Sequence, residues 1–320
     1  MTMATGEKVF AGVDIGGTSV KVGTVTARGK ILARAQEAYE PDSRHPQDVV
    51  DLATAVLDKL LCKVRSVQDG KPINGYVDNM LTDAVKLLMT CQENMSLGDV
   101  SGESVGCPSV VEDCGVVHAG SALNWGAVPL QRMFADRLNK PVTVCNDADA
   151  AVLAEQWVGS AKGDIKTFTM LTLGTGVGFG AVINGQLARG GQNIVEGGHL
   201  IVERNGRLCS CTQTGCLEAY SSGGALVARV KENLLAGKLR CYSNVLKHSV
   251  LYRKKSSVAG HPDSEIAEVI FKHAADGDEL CKSLVDEAAD SMSFACVNYA
   301  RMMDPEVTIV LTGEQCSAQF

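Results

Sequence analysis

From Val9 to Ile15 nearly every position is apolar or small, the chain breaks at Gly16-Gly17-Thr18, and apolar character returns over Val20 to Val25 and, past Arg28-Gly29, at Lys30-Ile31-Leu32. Short runs bounded by turn residues predict three strands in a meander. The pattern recurs downstream. Thr167 to Leu173 ends in Gly174-Thr175-Gly176, Ala181-Val182-Ile183 follows, Asn184-Gly185 supplies a hairpin turn, and Leu187-Ala188-Arg189 closes the unit. One supersecondary unit is therefore used twice.

Helical spacing appears at Val49, Leu52, Ala53, Val56, Leu57 and Leu60 behind Pro46, and more weakly at Leu81, Ala84, Val85 and Leu88. Val67 to Tyr76 mixes Gly, Pro, Asn and charge, which predicts a surface loop. Glu265 to His273 and Glu279 to Met303 read as helices, and Val307 to Leu311 as a buried strand after Asp304-Pro305. The expected organisation is a small α/β lobe over 1–122 and a larger α/β lobe over 123–320, built on the repeat.

Composition narrows the function. With 320 residues, 45% hydrophobic and 21% charged, the chain can bury two sizeable cores. A net charge of -7 gives no general reason to bind nucleic acid or an anionic membrane. Arg253-Lys254-Lys255 is a short basic run in a polar stretch and reads as a solvated loop. Met1 to Lys8 lacks the features of a secretory signal, and no apolar run reaches membrane-spanning length. A cytoplasmic protein is expected. Most of the 12 cysteines stand singly among apolar residues, as Cys62, Cys145, Cys281 and Cys296 do, and read as buried thiols.

Four features carry chemistry. Asp14-Ile15-Gly16-Gly17-Thr18 ends a strand where glycines let several N–H groups converge on an anion, with Asp14 placed to hold Mg²⁺ directly or through water. A plain hairpin turn is the competing reading. Gly174-Thr175-Gly176-Val177-Gly178 occupies the same point of the second unit. Both loops lead back into strands, against a nicotinamide fold, and no Walker ending is present. Asn146-Asp147 follows the strand-like Pro141 to Cys145. An Asp there can take the proton of an attacking hydroxyl in phosphoryl transfer, or it can simply cap the helix that follows. Finally, His199 with Cys209, Cys211 and Cys216 offers one imidazole and three thiolates, the donor set of a closed, structural zinc site. Three uncoordinated thiols beside an unrelated histidine remain the alternative.

These residues resemble the ROK family of sugar kinases and repressors, over Gly12 to about Leu311. The D-x-G-G-T loop is matched by Asp14, Gly16, Gly17 and Thr18, and the N-D pair by Asn146 and Asp147. The E-x-G-H segment and the C-x-C-G-x-x-G-C-x-E run are matched by Glu196, His199, Cys209, Cys211, Gly215, Cys216 and Glu218. The resemblance implies an actin-like ATPase (ribonuclease H-like) α/β fold of two lobes with a ligand cleft between them. It implies ATP at Asp14, Gly16, Gly17, Thr18, Gly174, Thr175, Gly176 and Gly178, with Mg²⁺, and zinc on His199, Cys209, Cys211 and Cys216. A sugar would be held by Asn146, Asp147, Glu196, His199 and Glu218, with Asp147 as base. A small-molecule sugar is then the expected partner, nucleic acid and membrane are not, and a homodimer is the expected assembly.

Repressors of the family carry a DNA-binding region ahead of the first loop, whereas Met1 to Ala11 alone precede Gly12 here, so the kinase branch is expected. Glu196 to Tyr220 looks most similar to the family's glucokinases. N-acetylmannosamine or N-acetylglucosamine kinase, or a sugar-binding protein without turnover, are the alternatives. Thr212 stands where the family has Gly, a substitution expected to strain the loop, Asp149 stands where Asn is usual, and Ser109 where Gly is usual after Pro108. Near Trp125 either Asn124 or Ala122 occupies the position of a sugar-contacting Asn. Thr312-Gly313-Glu314 to Phe320 replaces an expected adenine-side loop and helix, so weak handling of ATP is expected.

Overall fold

A computed structural model describes residues 9–17, 19–39, 45–68, 100–107, 111–112, 114–118, 123, 125–191, 195–235 and 263–312. Thr18, the expected helix over Leu81 to Leu88, Ser109, Ala122, Asn124, the basic run at Arg253 and the segment after Thr312 lie outside them. By packing the chain forms two compact units, Met1–Lys166 with Asn184–Val195, and Thr167–Ile183 with Glu196–Phe320. Residues 123–166 thus pack with the first sheet, whereas the sequence placed them in the second lobe.

In the first unit the meander is present as β1 (Val9–Ile15), β2 (Ser19–Thr26) and β3 (Ile31–Ala38), all antiparallel neighbours. Helix α1 (Pro46–Gln68) follows, longer than its apolar spacing suggested, so that Val67 and Gln68 are helical rather than loop. Strand β4 (Val100–Cys107), helix α2 (Leu130–Leu138), strand β5 (Val142–Asn146) and helix α3 (Asp147–Trp157) complete it. The sheet order is β3-β2-β1-β4-β5, with β1, β4 and β5 parallel. Val13, Ile15, Val20 and Val22 of the sheet and Val49, Val50, Ala53, Val56, Leu57 and Leu60 of α1 form one buried cluster. Each Val, Leu or Ile among them contributes roughly 1.5–3 kcal/mol on burial. The α1 stripe at i, i+3, i+4 and i+7 is what the sequence displayed.

The repeat supplies β6 (Phe168–Leu173), β7 (Val177–Ile183) and the two-residue β8 (Gln186–Leu187). Between β7 and β8, Asn184 and Gly185 have φ of 53° and 81°, the left-handed pair a type I′ turn requires. A 3₁₀ turn (Gly197–His199) leads to α4 (Glu218–Ser221), α5 (Gly223–Leu235), α6 (Asp263–Ala275), α7 (Glu279–Met303) and β9 (Val307–Thr312). Asp278 caps α7 by accepting from Cys281 N–H at 2.9 Å, and Asp304, at φ 45°, ends it before Pro305. Leu226, Val227 and Val230 of α5, Ala267 and Ile270 of α6, and Cys281 and Leu284 of α7 bury one another.

Two expectations are corrected. β9 pairs only with β6, as an edge strand among the described residues, and Val310 is 42% exposed, so the strand is half-buried rather than central. Cys145 and Cys281 are buried thiols as expected, but Cys296 is partly exposed, because α7 covers the core with only one face. The Cys62 side chain lies outside the described residues. Among the described residues no helix is long and apolar enough to cross a membrane.

Candidate active site

In the first unit, three parallel strands end side by side. The β1–β4 register places Asp14 beside Gly106, and the β4–β5 register places Gly106 beside Cys145 and Cys107 beside Asn146. The carboxyl ends of β1, β4 and β5 therefore carry Asp14, Cys107 and Asn146-Asp147 along one edge, where open α/β sheets bind ligands. Gly106 lies against Asp147: a Cβ on it would be in ordinary contact, 3.6 Å from the Asp147 Cα. Asp14 is buried, and Gly16 closes the turn after it by donating to Ser19 O at 2.9 Å. Burial first, then the charges of Asp147 and Asp14, push the Cys107 thiol up. Both carboxylates thus act on one buried side chain.

The cap of α3 is Asn146, not Asp147. Asn146 Oδ1 accepts from Ala148 N–H at 2.8 Å and Asp149 N–H at 3.2 Å, while Asp147 is already the first helical residue and its Oδ1 accepts from Ala148 N–H at 2.8 Å. With Oδ1 turned to the helix, the Asn146 amide presents its NH₂ group as a donor. Asp149 pairs with Arg189, Oδ2 to Nε 3.7 Å, and burial pushes its carboxyl up to about 6, against the pull of Arg189 and with a further push from Asp147. The sequence marked Asp149 only as a departure; nothing in it pointed to Arg189, which is 40 residues further on.

In the second unit, the glycine loop is held from behind. Gly223 N–H donates to Gly174 O at 2.8 Å and Gly224 N–H to Thr175 O at 3.2 Å. A trans peptide points its N–H opposite its C=O, so the N–H groups of Thr175 and Gly176 turn away from the start of α5. Gly224 is needed because a Cβ there would come within 2.7 Å of Thr175 O. Gly178 already lies in β7, opposite Thr172. The Glu196 to His199 segment packs just as closely: a Cβ on Gly198 would fall 1.9 Å from Val177 O, and one on Gly197 would enter the Phe179 ring. Tyr299 of α7 stacks on Phe179 with centroids 4.6 Å apart and donates its hydroxyl to Gly197 O at 2.9 Å. Sequence reasoning missed Tyr299, whose place in a long amphipathic helix looks like ordinary core.

The donor atoms of His199, Cys209, Cys211 and Cys216 all lie within 4.8 Å of one another. Cys209 Sγ is 3.6 Å from His199 Nδ1, and Cys211 Sγ is 3.6 Å from Cys216 Sγ. Tetrahedral zinc, with Zn–S of about 2.3 Å and Zn–N of about 2.0 Å, sets neighbouring donors roughly 3.5–3.8 Å apart. The donor set fits that ion. Burial, then the Cys211 and Cys209 thiols beside it, push the Cys216 thiol up to about 12; a cation among them favours the thiolates instead. Thr212 has φ of 74°, a conformation a β-branched residue adopts only under strain, as expected where the family has Gly. Glu218 accepts from Val177 N–H and from Ser210 Oγ–H, each at 3.0 Å.

Comparison with known proteins agrees on one family, whose matched members include sugar kinases and repressors. The model of the ROK family matches residues 49–319. Glucokinase of Thermotoga maritima is 30% identical over 305 residues, which span 94% of this chain and 81% of that protein. N-acetylmannosamine kinase of Vibrio vulnificus is 28% identical over 313 residues, 96% of this chain and 83% of that one. The crystal structure of a ROK family glucokinase from Streptomyces griseus, in complex with glucose and AMPPNP, superposes with a TM-score of 0.70 at 27% identity, covering 95% of this chain and 83% of that chain.

Proposed function

The chain belongs to the ROK family and has its actin-like, ribonuclease H-like α/β fold, and on that premise we propose that it is an ATP-dependent hexose kinase acting on the 6-hydroxyl of glucose. The observation that carries this reading is the pair Asn146-Asp147. Because Asn146 caps α3, Asp147 stands at the strand ends beside Asp14 without being the helix cap. In the proposed reaction the sugar O6 attacks the γ-phosphorus, its proton passes to the Asp147 carboxylate, the bond from phosphorus to the β,γ-bridging oxygen breaks, and ADP leaves.

Gly16, Gly17 and Thr18, with Gly174, Thr175, Gly176 and Gly178, cradle the phosphates, and the turned-out N–H groups of Thr175 and Gly176 support that role. Asp14 would hold Mg²⁺, which supplies charge neutralisation to the phosphates when bound. Asn146, Asp147, Glu196, His199 and Glu218 orient the sugar hydroxyls. Zinc on His199, Cys209, Cys211 and Cys216 would staple the loop that carries His199 and leads into Glu218, without touching the reaction. A cytoplasmic setting and a homodimer belong to the same proposal.

N-acetylmannosamine phosphorylation is the second reading, favoured by the similarity to the Vibrio vulnificus enzyme over nearly the whole chain. An ADP-release assay over glucose, mannose, N-acetylmannosamine and N-acetylglucosamine separates the two. Glucose-dependent release is the expected outcome. Release with an amino sugar alone would move the assignment, and none with any sugar would sink the kinase reading.

A further inference from the structure

Glu218 opens α4, and its two carboxylate oxygens serve two different loops. Oε2 accepts from Val177 N–H at 3.0 Å and lies so close to Gly176 that a Cβ there would come within 2.5 Å of it. Oε1 accepts from Ser210 Oγ–H at 3.0 Å, with the Cys209 thiol 3.7 Å away. Ser210 stands between two of the candidate zinc ligands, Cys209 and Cys211. One side chain therefore ties the metal loop to the second glycine loop, and every atom of the tie belongs to the second unit.

We propose that Glu218 is a positioning residue that couples filling of the Cys–His site to the backbone of the Gly174 to Gly178 loop. The proposal rests on the phosphate-loop reading above. Within the metal loop Thr212 N–H donates to Cys209 O and Cys209 N–H to Gln213 O, and bridges pair Leu208 with Thr214 and Ile201 with Cys216, so Ser210 sits on a short closed segment whose ends carry the candidate ligands. Ser210 and Val177 donate to different oxygens of one carboxylate, so a shift of the Cys209 to Cys211 backbone is passed through Glu218 to Val177. The Val177 N–H is taken by Oε2, which leaves the Thr175 and Gly176 N–H groups to a phosphate and fixes their direction from the neighbouring residue. A Cβ at position 176 would displace this carboxylate oxygen from its place.

The test is amide hydrogen exchange on the full chain, zinc-loaded and chelator-stripped, in the native protein and in Ser210→Ala and Ser210→Thr. Losing a hydrogen bond to a carboxylate should speed exchange at Val177 by about tenfold or more. Stripping zinc should do this in the native protein. Zinc-loaded Ser210→Ala, with its metal content confirmed, should show the same acceleration, and Ser210→Thr, which keeps the hydroxyl, should restore protection. If turnover is present, Ser210→Ala should also raise KM for ATP more than KM for the sugar. Native exchange at Val177 in zinc-loaded Ser210→Ala would overturn the coupling, even if stripping unfolds the unit wholesale. The kinase reading fails separately, by absence of sugar-dependent ADP release with the exchange coupling intact.

Discussion

Asp147 and Asp149 stand two residues apart at the start of α3 and are held differently. Asp149 is only 15% exposed, and burial raises its carboxyl from 3.8 to about 6 despite Arg189. A carboxyl with a raised folded pKa binds more protons in the folded chain than in the unfolded one between those values, so ionising it costs stability as pH climbs through that window. Asp149→Asn should therefore unfold at higher temperature than the native protein at pH 7, by about 1–3 kcal/mol, and the gap should close near pH 4. A gap independent of pH would show that packing, not ionisation, separates the two proteins. Replacing Asp147 with Ala should lower turnover by about 10²–10⁴-fold while sugar binding, followed by calorimetry, persists. Thr212 offers the opposite sign: at φ 74° its side chain strains the metal loop, and Thr212→Gly should stabilise the zinc-loaded protein by about 1 kcal/mol and slow zinc release to a chelator.

Among the elements, those with strong local signals were legible. The β1–β2–β3 meander, the Asn184-Gly185 hairpin and the α7 boundaries follow from runs of apolar residues and from turn and cap chemistry that act within a few positions. What depends on distant partners was not. Val307 to Leu311 looks central because it is apolar, yet burial is set by which strands lie beside it, and only β6 does among the described residues. The end of α1 was hidden by the Gly and Pro that begin just beyond it, and the Tyr299 bond to Gly197 spans 102 positions. The metal loop is the reverse case: its ligand spacing was plain in the sequence, and the structure adds that the four donor atoms gather within 4.8 Å of one another. Purified protein should accordingly carry about one zinc per chain, and Cys216→Ser should lower zinc content and thermal stability together. Active protein with no zinc by metal analysis would remove the site.

For the molecule as a whole, the two packed units make unequal use of that loop. All four candidate ligands, the Glu218 tie and the Tyr299 brace belong to the second unit. Stripping zinc should therefore speed amide exchange in β6 and α7 and leave β1 and the buried half of α1 unchanged; equal losses in both units would show that they unfold as one cooperative body. The second sheet also imposes an order in time. The hydroxyls of Thr169 in β6 and Thr308 in β9, which meet at 2.8 Å, are 139 residues apart in sequence. A ribosome adding about 5–20 residues per second keeps β6 waiting roughly 7–28 s for its parallel neighbour. Through that interval Phe168, Met170 and Leu171, all buried in the finished sheet, sit on a strand with an open edge that a nascent chain on the next ribosome can pair with.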